Sequence, residues 1–259
     1  MHQEKEELIN KNDETVDQII IHYPSKDGNS DKQLILNLHP TGDLSAKARI
    51  SYPCIIDVDW EKYAIDDKSK EILYDIIQII NYTVQDINND YYNTKEITTK
   101  DIMYRISLVC WLQQSLELLE KKIDSTTLNG FSFAHEDKLK KVKKYLLALR
   151  SFAVAHPLQT TRHADFSLDG SKICVDIRTR KMVELIFGAG MIKAKRFSFD
   201  GIIESDDVQN GDYYLYIYTS EDDYHLGEFI ACYFDDLYET AQLYLDKFCS
   251  IEQYLCNGE

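Results

Sequence analysis

Arg150 and His156 are the two side chains whose types and spacing suggest chemistry. They fall in the one basic, apolar and histidine-bearing stretch of the chain, residues 138–163. Histidine, with an unperturbed pKa of about 6.5, gives or takes a proton at neutral pH, and arginine offers a planar, permanently charged fork that grips phosphate oxygens. Leu139, Val142, Leu146, Leu149 and Ala153 recur at spacings of three and four, which predicts an amphipathic helix with Lys140, Lys141, Lys143 and Lys144 turned away from the apolar stripe. At about 100° per residue, Arg150 lies on one flank of that stripe and His156 on the other. Pro157 disfavours helical dihedrals at the residue before it, so the helix is expected to fray or turn at His156 and let the imidazole swing toward Arg150. A basic face beside such a pair suits a polyanion.

An Arg and a His with five residues between them, at the end of such a helix, resemble the R-x(4 to 6)-H signature of the HEPN superfamily of helical ribonucleases and their inactive relatives. The resemblance covers Arg150 and His156 alone, and Ser151 stands where the family often has Asn, Asp or His. It implies a metal-independent endoribonuclease that uses no cofactor. An RNA 2′-hydroxyl would attack the adjacent phosphodiester and leave a cyclic phosphate, with His156 moving protons and Arg150 holding the phosphate and its added charge. Lys140, Lys141, Lys144, Arg162 and His163 would then contact the RNA backbone. The resemblance further implies a homodimer whose cleft joins the two sites, and a toxin or phage-defence role. The residues themselves leave another reading open, with Arg150 lying over a bundle surface, His156 as a helix C-cap favoured by the dipole, and Arg162 and His163 in a solvated loop.

The elements that must position this stretch follow from hydrophobic periodicity. From residue 66 the pattern is helical, with Ile72, Leu73, Ile76, Ile77, Ile80, Val84 and Ile87 on one face. A second helix is expected after Thr98 or Thr99, either a good N-cap, carrying Ile102, Ile106, Val109, Leu112, Leu116, Leu119 and Ile123 inward and stopping at a turn over Asn129 and Gly130. Trp111 on this helix is expected in the core and Arg105 at the surface. With the basic helix third, residues 66–163 read as an antiparallel helical bundle. Residues 1–65 read as a mixed segment, with a weak helical pattern over 6–21 and strands over 32–39 and 48–60. Residues 164–259 read as an antiparallel sheet, with strands at FSLDG, KICVDIR, MVELIF, IKAKRFSF, DYYLYIYT and EFIACYF, followed by a C-terminal acidic helix from about residue 235 to 255. The fold class is therefore α+β, an antiparallel bundle plus an antiparallel β-sheet region and a C-terminal amphipathic helix. That last helix is expected to pack on the sheet or bundle, though its apolar face equally suits dimerisation.

Charge divides the chain. Residues 135–199 carry 14 basic and 6 acidic side chains, whereas residues 200–259 carry 15 acidic side chains and one basic, Lys247. The acidic end would repel nucleic acid or attract a basic protein partner, which supports a second class of function: a non-enzymatic regulator or inhibitor that mimics nucleic acid, if Asp206, Asp207, Asp212, Glu221, Asp222 and Asp223 form one ridge. Arg178, Arg180, Lys181, Lys193, Lys195 and Arg196 also gather on the predicted strands, and Tyr213, Tyr214, Tyr216 and Tyr218 offer rings on which bases could stack, as an ordinary half-exposed strand also would. The six cysteines show no C-x-x-C pair or zinc-like spacing and read as buried free thiols. Gly188 and Gly190 lack the rest of a phosphate-loop fingerprint. No run reaches about eighteen uncharged apolar residues and no signal-like segment opens the chain, so a soluble cytoplasmic protein without membrane contact is expected.

Overall fold

The computed structural model describes residues 18–24, 31–37, 58–91, 96–155, 173–187, 194–204, 211–219 and 227–257. It is an α+β protein in which four long helices and a mostly antiparallel five-stranded sheet share one hydrophobic core. The first described elements are strands β1 (Gln18–Pro24) and β2 (Asp31–Asn37), an antiparallel pair that forms its own sheet. The weak helical pattern over 6–21 therefore ends in a strand from Gln18 onward. A 3-10 turn, Trp60–Tyr63, occupies the end of the expected strand over 48–60, most of which lies outside the described residues.

The helices start where polar side chains satisfy free backbone N–H groups. Helix α1 (Asp67–Tyr91) follows Asp66, whose carboxylate accepts the Ser69 N–H at 2.8 Å; the Ser69 side chain and that bond hold its pKa below the usual carboxylate range. Helix α2 (Thr99–Lys122) opens on a capping box, in which the Thr98 hydroxyl accepts the Asp101 N–H and the Asp101 carboxylate accepts the Thr98 N–H. The turn after α2 uses Gly130 at φ 94°, a left-handed value that suits glycine, beside Asn129, whose carbonyl accepts the Tyr254 hydroxyl. Helix α3 (Glu136–Arg150) runs into a π-helical turn over Ser151–Ala155.

Strands β3 (Ile173–Thr179), β4 (Lys195–Ser198), β5 (Gly201–Ile203), β6 (Tyr213–Thr219) and β7 (Glu228–Cys232) line up in the order β3-β6-β7-β4-β5. All neighbours are antiparallel except β4 and β7. Gly201, at φ 126°, closes the tight β4–β5 hairpin after Asp200. The MVELIF segment is not a strand: it belongs to helix α4 (Arg180–Phe187), which follows β3 directly and buries Val183 against Tyr214, Ala194 and Ala231. A short apolar run fits strand and helix alike, and here the sheet's second face needed a cover. FSLDG and residues 188–190 lie outside the described residues.

Helix α5 (Phe234–Asn257) completes the bundle by packing against α2 and α3. Its first N–H is accepted at 2.7 Å by Asp212, which stands just before β6, so the sheet itself caps the helix. Leu237, Ala241, Tyr244, Phe248, Ile251 and Leu255 are all buried in the shared core, which leaves none of that face for a second copy of the chain.

Candidate functional site

Helix α3 buries Leu139, Val142, Leu146 and Leu149, together with Tyr145, and the stripe continues into the π-helical turn with Phe152 and Ala153. Glu136 and Asp137 sit at its positive end and Arg150 at its negative end, so its charges favour the helix macrodipole. Arg150 is exposed on the last turn. Its guanidinium lies near Cys110, although burial dominates there and pushes that thiol up to about 12. The helix does not stop at Arg150. Five residues wound as a wider turn carry it on, with Ser151 buried. His156, Arg162 and His163 lie outside the described residues, so the structure places one member of the proposed pair.

Lys140, Lys141 and Lys144 are exposed on α3, as the periodicity requires. Two of them hold carboxylates: Lys140 pairs with Asp137 at 3.1 Å and Lys141 with Asp200 at 2.7 Å. Lys143 pairs with Glu117 at 2.6 Å, and Lys138 with Glu239. The basic face thus meets acidic neighbours from α2, the β4–β5 turn and α5.

The second basic group is similarly answered. Arg178 pairs with Asp176 at 2.6 Å, Arg180 with Glu184 at 2.7 Å and Lys181 with Glu96 at 2.7 Å. Lys195 sits between Glu228 and Glu204, and Arg196 reaches Asp236 at 3.1 Å. Lys193 lies outside the described residues. The tyrosines of β6 are not a stacking platform: Tyr213, Tyr214 and Tyr216 are buried because β6 lies inside the sheet with the bundle on one face and α4 on the other. Of the proposed acidic ridge only Asp212 is described, and it caps α5. Although part of Asp212 is open to solvent, its carboxyl turns in toward Phe234, and burial raises its pKa.

Two expectations on α2 are reversed. Trp111 is 49% exposed, and Arg105 is 6% exposed with its guanidinium 4.4 Å from the centre of the Phe234 ring. The bundle surrounds α2 on most sides, so position 105 falls within reach of the start of α5, where an aromatic ring and nearby Asp212 accommodate a cation. Only contacts between elements distant in sequence could have revealed this.

Free Cys110 and Cys232 are buried as expected, Cys249 is half-buried, and Cys256 is exposed; Cys54 and the Cys174 side chain lie outside the described residues. Burial pushes Cys249 up to about 12 and raises Cys232 further, so neither is poised as a nucleophile. Among the described residues no group of three His, Cys, Asp or Glu side chains could hold a metal ion, and no helix is long and apolar enough to cross a membrane. Comparison with protein families, curated proteins and solved structures returns no match.

Proposed function

We propose that the chain is a metal-independent endoribonuclease of the HEPN type, acting as a toxin or phage-defence effector, with Arg150 holding the scissile phosphate and His156 moving protons. The observation that carries this reading is the π-helical turn between the two residues. Such turns are rare and recur at functional sites, where they re-aim side chains at the end of an otherwise regular helix. Here the turn follows an exposed arginine on a helix whose other face is anchored in the core. The ion pairs on the lysine face do not bar RNA, since an exposed pair contributes only about 0–1 kcal/mol and a phosphate can replace its carboxylate.

Cleavage of a mixed cellular RNA pool in the presence of chelator tests the reading. Products ending in cyclic phosphate are expected from the unaltered protein, with activity reduced at least about a hundredfold in folded Arg150→Ala and His156→Ala variants. Activity that persists in both variants would overturn it.

A second reading, a non-enzymatic interaction protein on an inactive helical scaffold, is favoured by one specific observation: Lys140 and Lys141 are already held by carboxylates of the chain itself. Absence of cleavage by the unaltered protein would favour this reading.

A further inference from the structure

Two apolar rows lie side by side on the outside of the α1–α2 hairpin. On α2, Tyr104, Trp111 and Leu118 recur every seven residues, close to two full turns, and line one edge of the helix. On α1, Asp75, Ile79, Tyr82 and Asp86 follow one another at spacings of four, three and four, and so share a face. The helices run antiparallel: the Ile65 N–H donates to the Lys122 carbonyl where α1 begins and α2 ends, and the Tyr104 hydroxyl donates to Asp86 at 3.4 Å. That second bond sets the two rows next to each other. All five apolar side chains are between 40% and 55% exposed. Three aromatic rings and two aliphatic chains, each half open, present on the order of 400 Å² of surface, the size of the largest patch on a typical monomer, which is often functional.

On the α1 side of the patch the charge has one sign, while on α2 Lys100 and Lys122 stand four residues beyond Tyr104 and Leu118, at the two ends of the row. From Glu71 to its end α1 contains no lysine or arginine. Glu71, Asp75 and Asp86 are exposed on the same face as Ile79 and Tyr82, with Gln78, Gln85 and Asn89 exposed nearby. No lysine or arginine among the described residues forms an ion pair with these three carboxylates, whereas the lysines of α3 and the basic side chains of the sheet are largely paired.

We propose that this face docks an amphipathic helical segment of another protein. Its apolar stripe would cover Tyr82, Tyr104, Trp111 and Leu118, and its lysines or arginines would pair with Glu71, Asp75 and Asp86. The rows set its length: Tyr104 to Leu118 spans about 21 Å at 1.5 Å per residue, so the occupant is a helix of about four turns. A second copy of this chain fits less well, because a two-fold contact would set the same carboxylates against each other. The docking surface is independent of the nuclease reading and stands or falls separately.

The test titrates the full chain with two synthetic 18-residue helical peptides that share one leucine stripe, one flanked by lysines and the other by glutamates. Binding is followed by tryptophan emission and calorimetry. Trp60 is buried and stacked on Phe248, so a blue shift reports on Trp111 and should vanish in Trp111→Phe. The lysine peptide is expected to bind at least about tenfold tighter than the glutamate peptide, and Trp111→Ala to lose at least about tenfold in affinity. Asp75→Asn with Asp86→Asn should weaken binding severalfold, whereas Asp137→Asn with Asp246→Asn, the same charge change elsewhere, should leave it unchanged. Circular dichroism confirms that each variant is folded. Equal losses in the two double variants would reduce the effect to general attraction by an acidic protein and overturn the proposal. Equal affinity for the two peptides, no binding, or sedimentation of a self-associated species that excludes the peptide would overturn it too.

Discussion

Arg105 and Trp111 exchange the places that their chemistry suggests, and stability should show the exchange. Arg105 packs over Phe234 near the Asp212 cap, so Arg105→Ala removes a desolvated cation–ring contact and opens a gap beside the first turn of α5. A loss of about 2 kcal/mol in urea unfolding is expected. Trp111→Ala, at an exposed position, should stay within about 0.5 kcal/mol. Glu252 supplies a second test at this scale. It is 1% exposed, its Oε2 has no hydrogen-bond partner among the described residues, and burial raises its carboxyl to about 8. The folded chain therefore keeps this proton over a pH range in which the unfolded chain has released it. Its contribution to stability is fully present below the ordinary glutamate pKa of about 4.3, falls as pH rises through the window to about 8, and is flat beyond. Every tenfold difference in proton affinity between the folded and unfolded chains is worth about 1.4 kcal/mol, so Glu252→Gln should stabilise the protein by a few kcal/mol at pH 8.5 relative to its effect at pH 5. Unfolding free energies of both proteins at the two pH values check this. A buried carboxyl on a helix face reads in sequence as an exposed one, because only the elements packed over it make it costly.

At the scale of the element, α1, α2, α3 and α5 were legible because each repeats its apolar residues at three and four over several turns, a pattern that no strand can use. The start of α2 was legible to within one residue, Thr98 or Thr99, and the capping box with Asp101 selects Thr98. Thr98→Ala should lower stability by about 1 kcal/mol, read as a lower denaturation midpoint at unchanged slope. Helix α4 was not legible. Eight residues allow barely two turns, and Leu185 and Ile186 point outward while Val183 is driven into the small cluster behind β6. The tyrosines of β6 misled for the same reason: alternation marks the two faces of a strand but does not say that α4 covers one and the bundle the other. The candidate site was legible as a helix with an apolar stripe, an exposed lysine face and Arg150 at its end. The π-helical turn was hidden, because Ser151–Ala155 has a composition that an ordinary α-helical turn would accept.

At the scale of the whole molecule, the division into segments at residue 163 follows composition, whereas burial crosses it. Tyr145 of α3 packs on Phe197 of β4 at 4.9 Å, Phe152 meets the same ring, and Trp60 stacks on Phe248 of α5. Lys247 of α5 pairs with Glu120 of α2 at 2.8 Å, so the one cation of the acidic end is spent inside the bundle contact. Helix α2 owes much of its burial to α5, and a chain ending at residue 163 would strip Tyr145 and Phe152 of Phe197 and leave open the sides of α2 and α3 that α5 now covers. Exposing several side chains of this size costs roughly 1.5–3 kcal/mol each, against a total stability of about 5–15 kcal/mol for a domain. Residues 66–163 made alone should therefore lack a cooperative thermal transition. The full chain should unfold in one step, with the helical far-ultraviolet signal and the aromatic near-ultraviolet signal lost together. A separate, earlier loss of the aromatic signal would show instead that sheet and bundle melt independently. The bundle would then be a unit in its own right, carrying Arg150 on a scaffold that does not need the sheet.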